Sequence, residues 1–299
     1  MWNIKLLNPV SPVWREVIRE EEFHLGPQAE APAAVIVRSA DMHGYALNPQ
    51  CLAVGRAGVG VNNIPLEEYA RQGVVVFNSP GANANAVKEL TLAGLLLASR
   101  DITGGASWAQ GLKGQGDQVE ALVEKGKKAF AGPEIAGKTL GVIGLGAIGL
   151  LVANAGAALG MQVLGYDPYI SVDNAWKLSR AVRHARSEEE VAAQADYLTL
   201  HVPLTKETRG KLNAGYLAHM KPGAALLNFS RGELADTDAV ISALESGRLR
   251  AYVCDFPCEK LLGVPHAVCL PHLGASTPES EENCAVMAAQ ELKDYLENG

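Results

Sequence analysis

The chain has 299 residues, of which 48% are hydrophobic and 20% charged, and a formal net charge of −7. That length suits two domains of ordinary size, whose cores need neither disulfide nor metal staples. The acidic balance argues against a nucleic-acid surface, and no apolar run approaches the ~18 residues needed to span a bilayer.

Short apolar strands alternate with longer helical stretches, the pattern of parallel α/β architecture. Strands are predicted at 4–7, 34–39, 52–55 and 74–77, as β-branched runs expected of strands covered on both faces. The segment 85–100 is predicted to be a helix with Leu90, Ala93, Gly94 and Leu97 on one face. Residues 101–136 are Gly-rich, polar and then charged. They are expected to form a flexible loop or an arm packing on another subunit. A second α/β run follows, with strands at 139–143, 161–166, 197–202, 225–229, 251–254 and 267–270 and helices at 147–159 and 236–246. A last helix should open after Thr277, with Glu279 to Glu282 suiting its positive end.

The five cysteines, at 51, 254, 258, 269 and 284, are odd in number and scattered, so reduced thiols are expected rather than a disulfide framework. Cys254 and Cys258 lack a second Cys/His pair at zinc-site spacing, and no metal is expected. The amino terminus carries no secretory signal pattern, so a soluble cytoplasmic protein is expected, with neither nucleic-acid nor membrane partners. The end directly after a helix suggests a longer natural chain.

The sharpest motif is GLGAIG, Gly144–Gly149, between the strand TLGVI and a helix. In that setting Gly144 permits the tight turn, Gly146 the approach of a pyrophosphate and Gly149 close helix packing. The helix start offers its amides to the phosphates. Asp167, eighteen residues past Gly149 at the end of the next strand, is placed to accept bonds from ribose hydroxyls. A carboxylate there would repel a 2′-phosphate, and no Arg stands close by, so NAD is expected over NADP.

Oxidising a hydroxy acid by hydride transfer needs a base for the hydroxyl proton and a cation for the carboxylate. Three residues just after strand ends supply these types: Arg231 in NFSRG, Glu259 beyond AYVC and His272 in PHLGAST. Arg presents a planar fork to a carboxylate. Imidazole titrates in the range of a proton shuttle, and a carboxylate behind it orients it. Each has a plainer reading: Arg231 pairing with Asp236, His272 as a structural residue, Glu259 as a solvated acid.

The strings VGRAGVGVNNI (54–64), NSPGANANAVKEL (78–90), GLGAIG, HVPLT (201–205), NFSRGELAD (228–236) and PHLGAST (271–277) come in one order along nearly the whole chain. In them the sequence resembles the D-2-hydroxyacid dehydrogenase family. The resemblance implies a Rossmann-type doubly wound parallel sheet domain, 91–272 with the 101–136 arm. It would be inserted into a flavodoxin-like α/β substrate-binding domain, 1–90 and 273–299. It implies Arg231, Glu259 and His272 as the catalytic set and cofactor contacts from Gly144, Gly146, Ala147, Ile148 and Gly149. Further cofactor contacts would come from Asp167, His201, Val202, Pro203, Ser230, Asp255 and Gly274, Asp255 meeting the nicotinamide carboxamide. Phe256 follows Asp255 directly, where the family usually has a residue between them. The substrate carboxylate would meet the amides around Gly58, Val59 and Gly60 together with Arg231. Arg38, with Ser39 beside it, and Arg56 would serve a phosphate group. The expected substrate is thus a phosphorylated 2-hydroxy acid, the expected cofactor NAD, and the expected assembly a homodimer through the Rossmann domain. Lys125, Lys127 and Lys128 would form either a solvated face or an arm reaching the partner's site. An unphosphorylated 2-hydroxy acid substrate and an NAD-sensing binding protein of the corepressor kind are the alternatives.

Overall fold

The computed structural model describes residues 2–19 and 21–299. Its contacts divide the chain into two compact units, one running through Ala86 and resumed at Ala275–Gly299, the other Val87–Gly274.

The first unit carries strands β1 (Trp2–Leu6), β2 (Phe23–Gly26), β3 (Ala34–Val37), β4 (Ala53–Arg56) and β5 (Val75–Phe77), with helix α1 at Leu66–Arg71. All pairings are parallel, in the order β2-β1-β3-β4-β5. That is the flavodoxin-like order, in which the ligand crevice opens at the carboxyl ends of β1 and β3. Alternation along β3 divides its side chains between two cores. Ala34 and Ile36 join Ile4, Ala53, Ala288 and Leu292. Val35 and Val37 join Val54, Ile64 and Tyr69 on the other face. The C-terminal helix Pro278–Asn298 covers the first face. Its cap is the one the sequence predicts, with Ser280 N donating to Thr277 Oγ1 at 3.1 Å and Pro278 in the first turn.

In the second unit, helix α2 (Ala84–Ser99) leads to α3 (Ile102–Gln110) and α4 (Val119–Gly126). Of the Leu90, Ala93, Gly94 and Leu97 face read from the sequence, Gly94 is buried and Leu90 and Leu97 are half-buried against the core, while Ala93 is exposed; the most deeply buried stripe is Val87, Thr91, Leu95 and Ala98. Thr91 is hidden without penalty because its hydroxyl donates to Val87 O at 2.8 Å. The arm at 101–136 is helical over much of its length, not a loop. Asp101 starts α3 by accepting from Gly104 N at 2.8 Å, and Trp108 stacks on Phe130 with ring centroids 5.4 Å apart.

Seven parallel strands follow, β6 (Thr139–Ile143), β7 (Gln162–Tyr166), β8 (Val182–His184), β9 (Tyr197–Leu200), β10 (Ala224–Asn228), β11 (Leu249–Cys254) and β12 (Ala267–Cys269). Their order is β12-β11-β10-β9-β6-β7-β8. Helix α5 (Ala147–Ala158) joins β6 to β7. The direction of winding reverses between β6 and β9, which makes that pair the switch point of a Rossmann-type sheet. One face buries Leu140, Val142, Val163, Leu227 and Val253, and the other Ile143, Leu164, Leu198, Leu226 and Tyr252. The inner strands thus alternate between two cores and are apolar on both sides, while the edge strand β8 exposes Arg183 and His184.

Replacing Thr277 by Ala removes the cap that starts the C-terminal helix. It is expected to lower the unfolding free energy by about 1 kcal/mol in urea titration, with Thr277→Ser retaining most of it.

Candidate dinucleotide and active site

The glycine motif sits at the switch point. Gly144 leaves β6 at φ +85°, and a Cβ there would collide with the carbonyl oxygen of His201, the residue that follows β9. A Cβ on Gly149 would collide with the carbonyl oxygen of Gly144, so the first turn of α5 lies directly on the turn before it. Gly146 differs from both: among the described residues, no atom beyond its own chain neighbours and helix backbone lies within 4 Å of where its Cβ would project. The two outer glycines are required by the fold and the middle one faces open space. Among the described residues no side chain caps the amino end of α5, so the first turn, from Ala147 and Ile148, keeps free amides.

Asp167, at the end of β7, is fixed on this turn. Its Oδ2 accepts from Leu145 N at 2.8 Å and its Oδ1 from Tyr169 N at 2.9 Å. His201 lies on the other side. Its Nε2 is 3.0 Å from Thr199 Oγ1, and its Nδ1 is sealed from solvent without a partner. Burial pushes the imidazole down to about 3, so the ring stays neutral near pH 7. Val202 packs against one core, and Thr208 Oγ1 donates to Pro203 O at 2.7 Å, which holds the loop after β9. A glycine left open, a dipolar helix start, an anchored carboxylate and an orphaned buried nitrogen together suit a dinucleotide.

Arg231 follows β10, and Asn228 at the end of that strand organises it. Asn228 is fully buried; its Nδ2 donates to Arg231 O at 2.8 Å and its Oδ1 accepts from Ser230 N at 3.3 Å. Ser230 Oγ donates to Leu200 O at 2.6 Å, tying this loop to β9. Arg231 Nη1 donates to Ser230 O at 2.7 Å. Of the guanidinium's five donors, most remain for an anion.

Asp255 follows β11 and is 1% exposed. Its carboxylate accepts from Leu273 N at 2.8 Å and Gly274 N at 2.7 Å. These two amides immediately follow His272, whose φ is +57°, an uncommon conformation for a residue with a side chain. The Asp255 clamp and the Phe256 ring, 5.0 Å from the imidazole centroid, hold that conformation. Glu259 opens the short 3-10 turn Glu259–Leu261 and is exposed. Among the described residues its carboxylate makes no hydrogen bond or ion pair, so the bond to His272 expected from the sequence is not formed.

In the first unit, Arg38 and Ser39 stand at the β1/β3 switch point. Arg38 N donates to Asn8 Oδ1 at 2.9 Å, and Asn8 Nδ2 to Ser39 Oγ at 3.2 Å. The Arg38 guanidinium pairs with Glu281 at 2.9 Å. Arg56 ends β4 with its guanidinium folded over Gly58, where a Cβ would strike it and where φ is +151°. Gly58 N donates to Arg56 O, but the amides of Val59 and Gly60 meet no acceptor among the described residues. Asn78 Nδ2, donating to Val59 O at 2.7 Å, and Ser79 N, donating to Gly58 O at 2.9 Å, brace the loop.

Sequence reasoning missed Asn228, Thr199 and Asn78. A lone polar residue inside an apolar strand, as in ALLNF and YLTL, is the signal that would have found the first two.

This is a dinucleotide-binding α/β protein by fold and by site. The sequence model of the D-isomer specific 2-hydroxyacid dehydrogenase NAD-binding domain matches residues 93–274, and the chain belongs to that family. It is 37% identical over 253 residues to a D-3-phosphoglycerate dehydrogenase of Synechocystis, covering 83% of this chain and 43% of that protein. It is 38% identical over 252 residues to one of Methanocaldococcus jannaschii, covering 81% and 45%. The chain therefore spans less than half the length of either relative. A solved NAD-bound 3-phosphoglycerate dehydrogenase of Entamoeba histolytica shares the fold, with TM-score 0.75, 24% identity and coverage of 100% and 96%.

Gly146→Ala is expected to leave the melting temperature unchanged and to weaken NADH binding at least about tenfold in fluorescence titration, because the new methyl enters ligand space only. His201 gives a pH signature. Its folded pKa lies below the unfolded ~6.5, so unfolding takes up a proton between the two, and the stability contributed by the neutral ring falls as pH drops below that value. His201→Asn should therefore lose less melting temperature than the parent between pH 7 and pH 5.

Proposed function

We propose that the chain carries out NAD-dependent oxidation at C2 of a D-2-hydroxy acid. The proposed substrate is 3-phosphoglycerate and the product 3-phosphohydroxypyruvate, the reaction that opens serine synthesis. The observation that carries this reading is the convergence, on the carboxyl ends of one parallel sheet, of the open Gly146 cradle, Arg231 and His272. The unit Val87–Gly274 would be the cofactor-binding domain and the first unit the substrate-binding domain.

NAD, when bound, supplies the acceptor for the hydride leaving C2. Gly144 to Gly149 and the start of α5 hold its pyrophosphate, and Asp167 accepts from the adenosine ribose hydroxyls. Val202, Pro203, Ser230 and Gly274 line its path, with His201 offering the unpartnered Nδ1. Arg231 presents its remaining N–H groups to the substrate carboxylate and the neighbouring oxygen, opposing the charge that develops there. His272 takes the proton from the C2 hydroxyl. Asp255 positions His272 through the amides of Leu273 and Gly274, and its free lone pairs remain for the nicotinamide carboxamide. Glu259, exposed at the start of its 3-10 turn, is the third member of the proposed set and would orient His272 once substrate and cofactor are bound.

Arg56 and the Val59 and Gly60 amides form an anion nest for the substrate. One observation favours a second reading, an unphosphorylated 2-hydroxy acid: Glu281 already occupies Arg38, one of the two arginines expected to serve a phosphate. A homodimer through the Rossmann unit belongs to the same proposal. It is supported by α3 and α4, which bury no residue of their own and expose Ile102 and Val119.

The reading is tested by NADH oxidation with 3-phosphohydroxypyruvate beside hydroxypyruvate, glyoxylate and 2-oxoglutarate. The phosphorylated acid should be preferred, and Arg56→Ala should remove the preference by raising its KM about tenfold or more. Equal rates on an unphosphorylated acid would establish the second reading. His272→Ala should lower kcat by roughly 10²–10⁴ while NADH still binds.

A further inference from the structure

The register of β11 and β12 sets Cys254 opposite Cys269. Their sulfurs lie 3.8 Å apart, and Cys254 Sγ is the donor between them. Strands so paired stand roughly 4.8 Å apart, inside the Cα range of about 4.4–6.8 Å that a disulfide spans. Both thiols are reduced; Cys254 is buried and Cys269 half-buried, so Cys269 is the more accessible of the two. No third metal-ligating side chain joins them among the described residues. The reaction proposed above uses neither. Yet Cys254 directly precedes Asp255, and Cys269 stands three residues before His272.

We propose that Cys254 and Cys269 are an oxidisable dithiol, a modification site at which a peroxide closes a disulfide and disables the Asp255–His272 strand ends. Cys269 is the first sulfur to react, since it is the accessible one. The hydrogen bond it receives from Cys254 also holds its thiol below the usual range, which favours the nucleophilic thiolate. It attacks one peroxide oxygen, the O–O bond breaks, and the departing hydroxide takes up a proton as water, leaving Cys269 as a sulfenic acid. Cys254 then attacks that sulfur. The S–O bond breaks, the oxygen leaves as water with the Cys254 proton, and the S–S bond forms. The two sulfurs lose two electrons and the peroxide gains them. A thiol reductant reverses the change.

Closing the bond draws the sulfurs from 3.8 Å to about 2 Å. The Asp255 carboxylate, one residue along, is held by bonds of 2.8 and 2.7 Å to Leu273 and Gly274, a geometry that tolerates little displacement. Loosening that clamp releases the strained His272 and the loop against which the cofactor would lie. Loss of one or two such bonds corresponds to a fall in NADH affinity of about fivefold or more. This last readout rests on the proposed cofactor reading, whereas the disulfide itself does not.

The test treats the purified chain with limiting hydrogen peroxide, alkylates the remaining thiols and maps the peptides by mass spectrometry. A Cys254–Cys269 linked peptide should appear and vanish with dithiothreitol, while NADH affinity falls and recovers in step. Cys269→Ser should bind NADH like the reduced parent, form no link and ignore peroxide. Cys258→Ser should oxidise like the parent. Alkylation of both thiols after full consumption of the peroxide, a link made by Cys258, or a linked protein with unchanged NADH affinity would each overturn the proposal. If the reduced parent itself binds no NADH, the cofactor reading fails, and the linked peptide alone decides the dithiol.

Discussion

Gly144 meets the carbonyl of His201 at the point where the seven-stranded sheet reverses its winding, and the approach leaves no room for a side chain. Helices leave opposite faces of the sheet on either side of β6 and β9, so the carboxyl ends of those two strands are uncovered. The chain fills the crevice with backbone alone, by turning tightly at Gly144 and pressing α5 onto the turn at Gly149. What remains is a groove with a helix amino end at one wall and open space over Gly146. Asp167, His201 and Ser230 all take their positions from strands adjoining that reversal. The chemistry proposed for the site depends on this one close approach of backbones.

Buried polar groups then fix the loops that carry the side chains proposed to react. Asn228 holds the loop of Arg231, Ser230 ties that loop to β9, and Asp255 holds the loop of His272. Each is satisfied by backbone partners, which avoids the penalty of an unpaired buried polar group while rigidifying a turn. The residues proposed to react thus need no place in the core. Arg231 is half-buried and His272 exposed, each supported from below by a residue that never meets solvent. The same economy operates in the first unit, where Asn8, Asn78 and Ser79 brace the loops bearing Arg38 and Arg56.

Much of this was legible in the sequence because the strands covered on both faces are continuous apolar runs. The glycine motif, the acid after β7 and the cap at Thr277 are local signals with local causes. Strands β2 and β8 were missed. Both lie at sheet edges, and FHLG and VRH mix His, Gly or Arg into short segments that burial does not force to be apolar. The flexible-loop alternative for 101–136 does not hold, because glycines there do not all break helices. Gly126 instead lets α4 come against the Trp108 ring, where a Cβ would clash, so the residue type is set by tertiary packing. The buried face of α2 is wider than its apolar residues indicate for a related reason: Thr91 reads as polar but satisfies itself against Val87. The missing Glu259–His272 bond belongs to the same class, since spacing along the chain does not determine which way a short turn after β11 directs its acid.

In the proposed reaction, hydride leaves C2 of a D-hydroxy acid for a nicotinamide held over the Gly146 cradle. This transfer is tested most directly by giving the protein NAD and 3-phosphoglycerate deuterated at C2, as separate D and L forms, and weighing the NADH produced. Deuterium is expected in the NADH from the D form, and no NADH is expected from the L form. Unlabelled NADH, or label drawn from the L form, would contradict the proposed transfer.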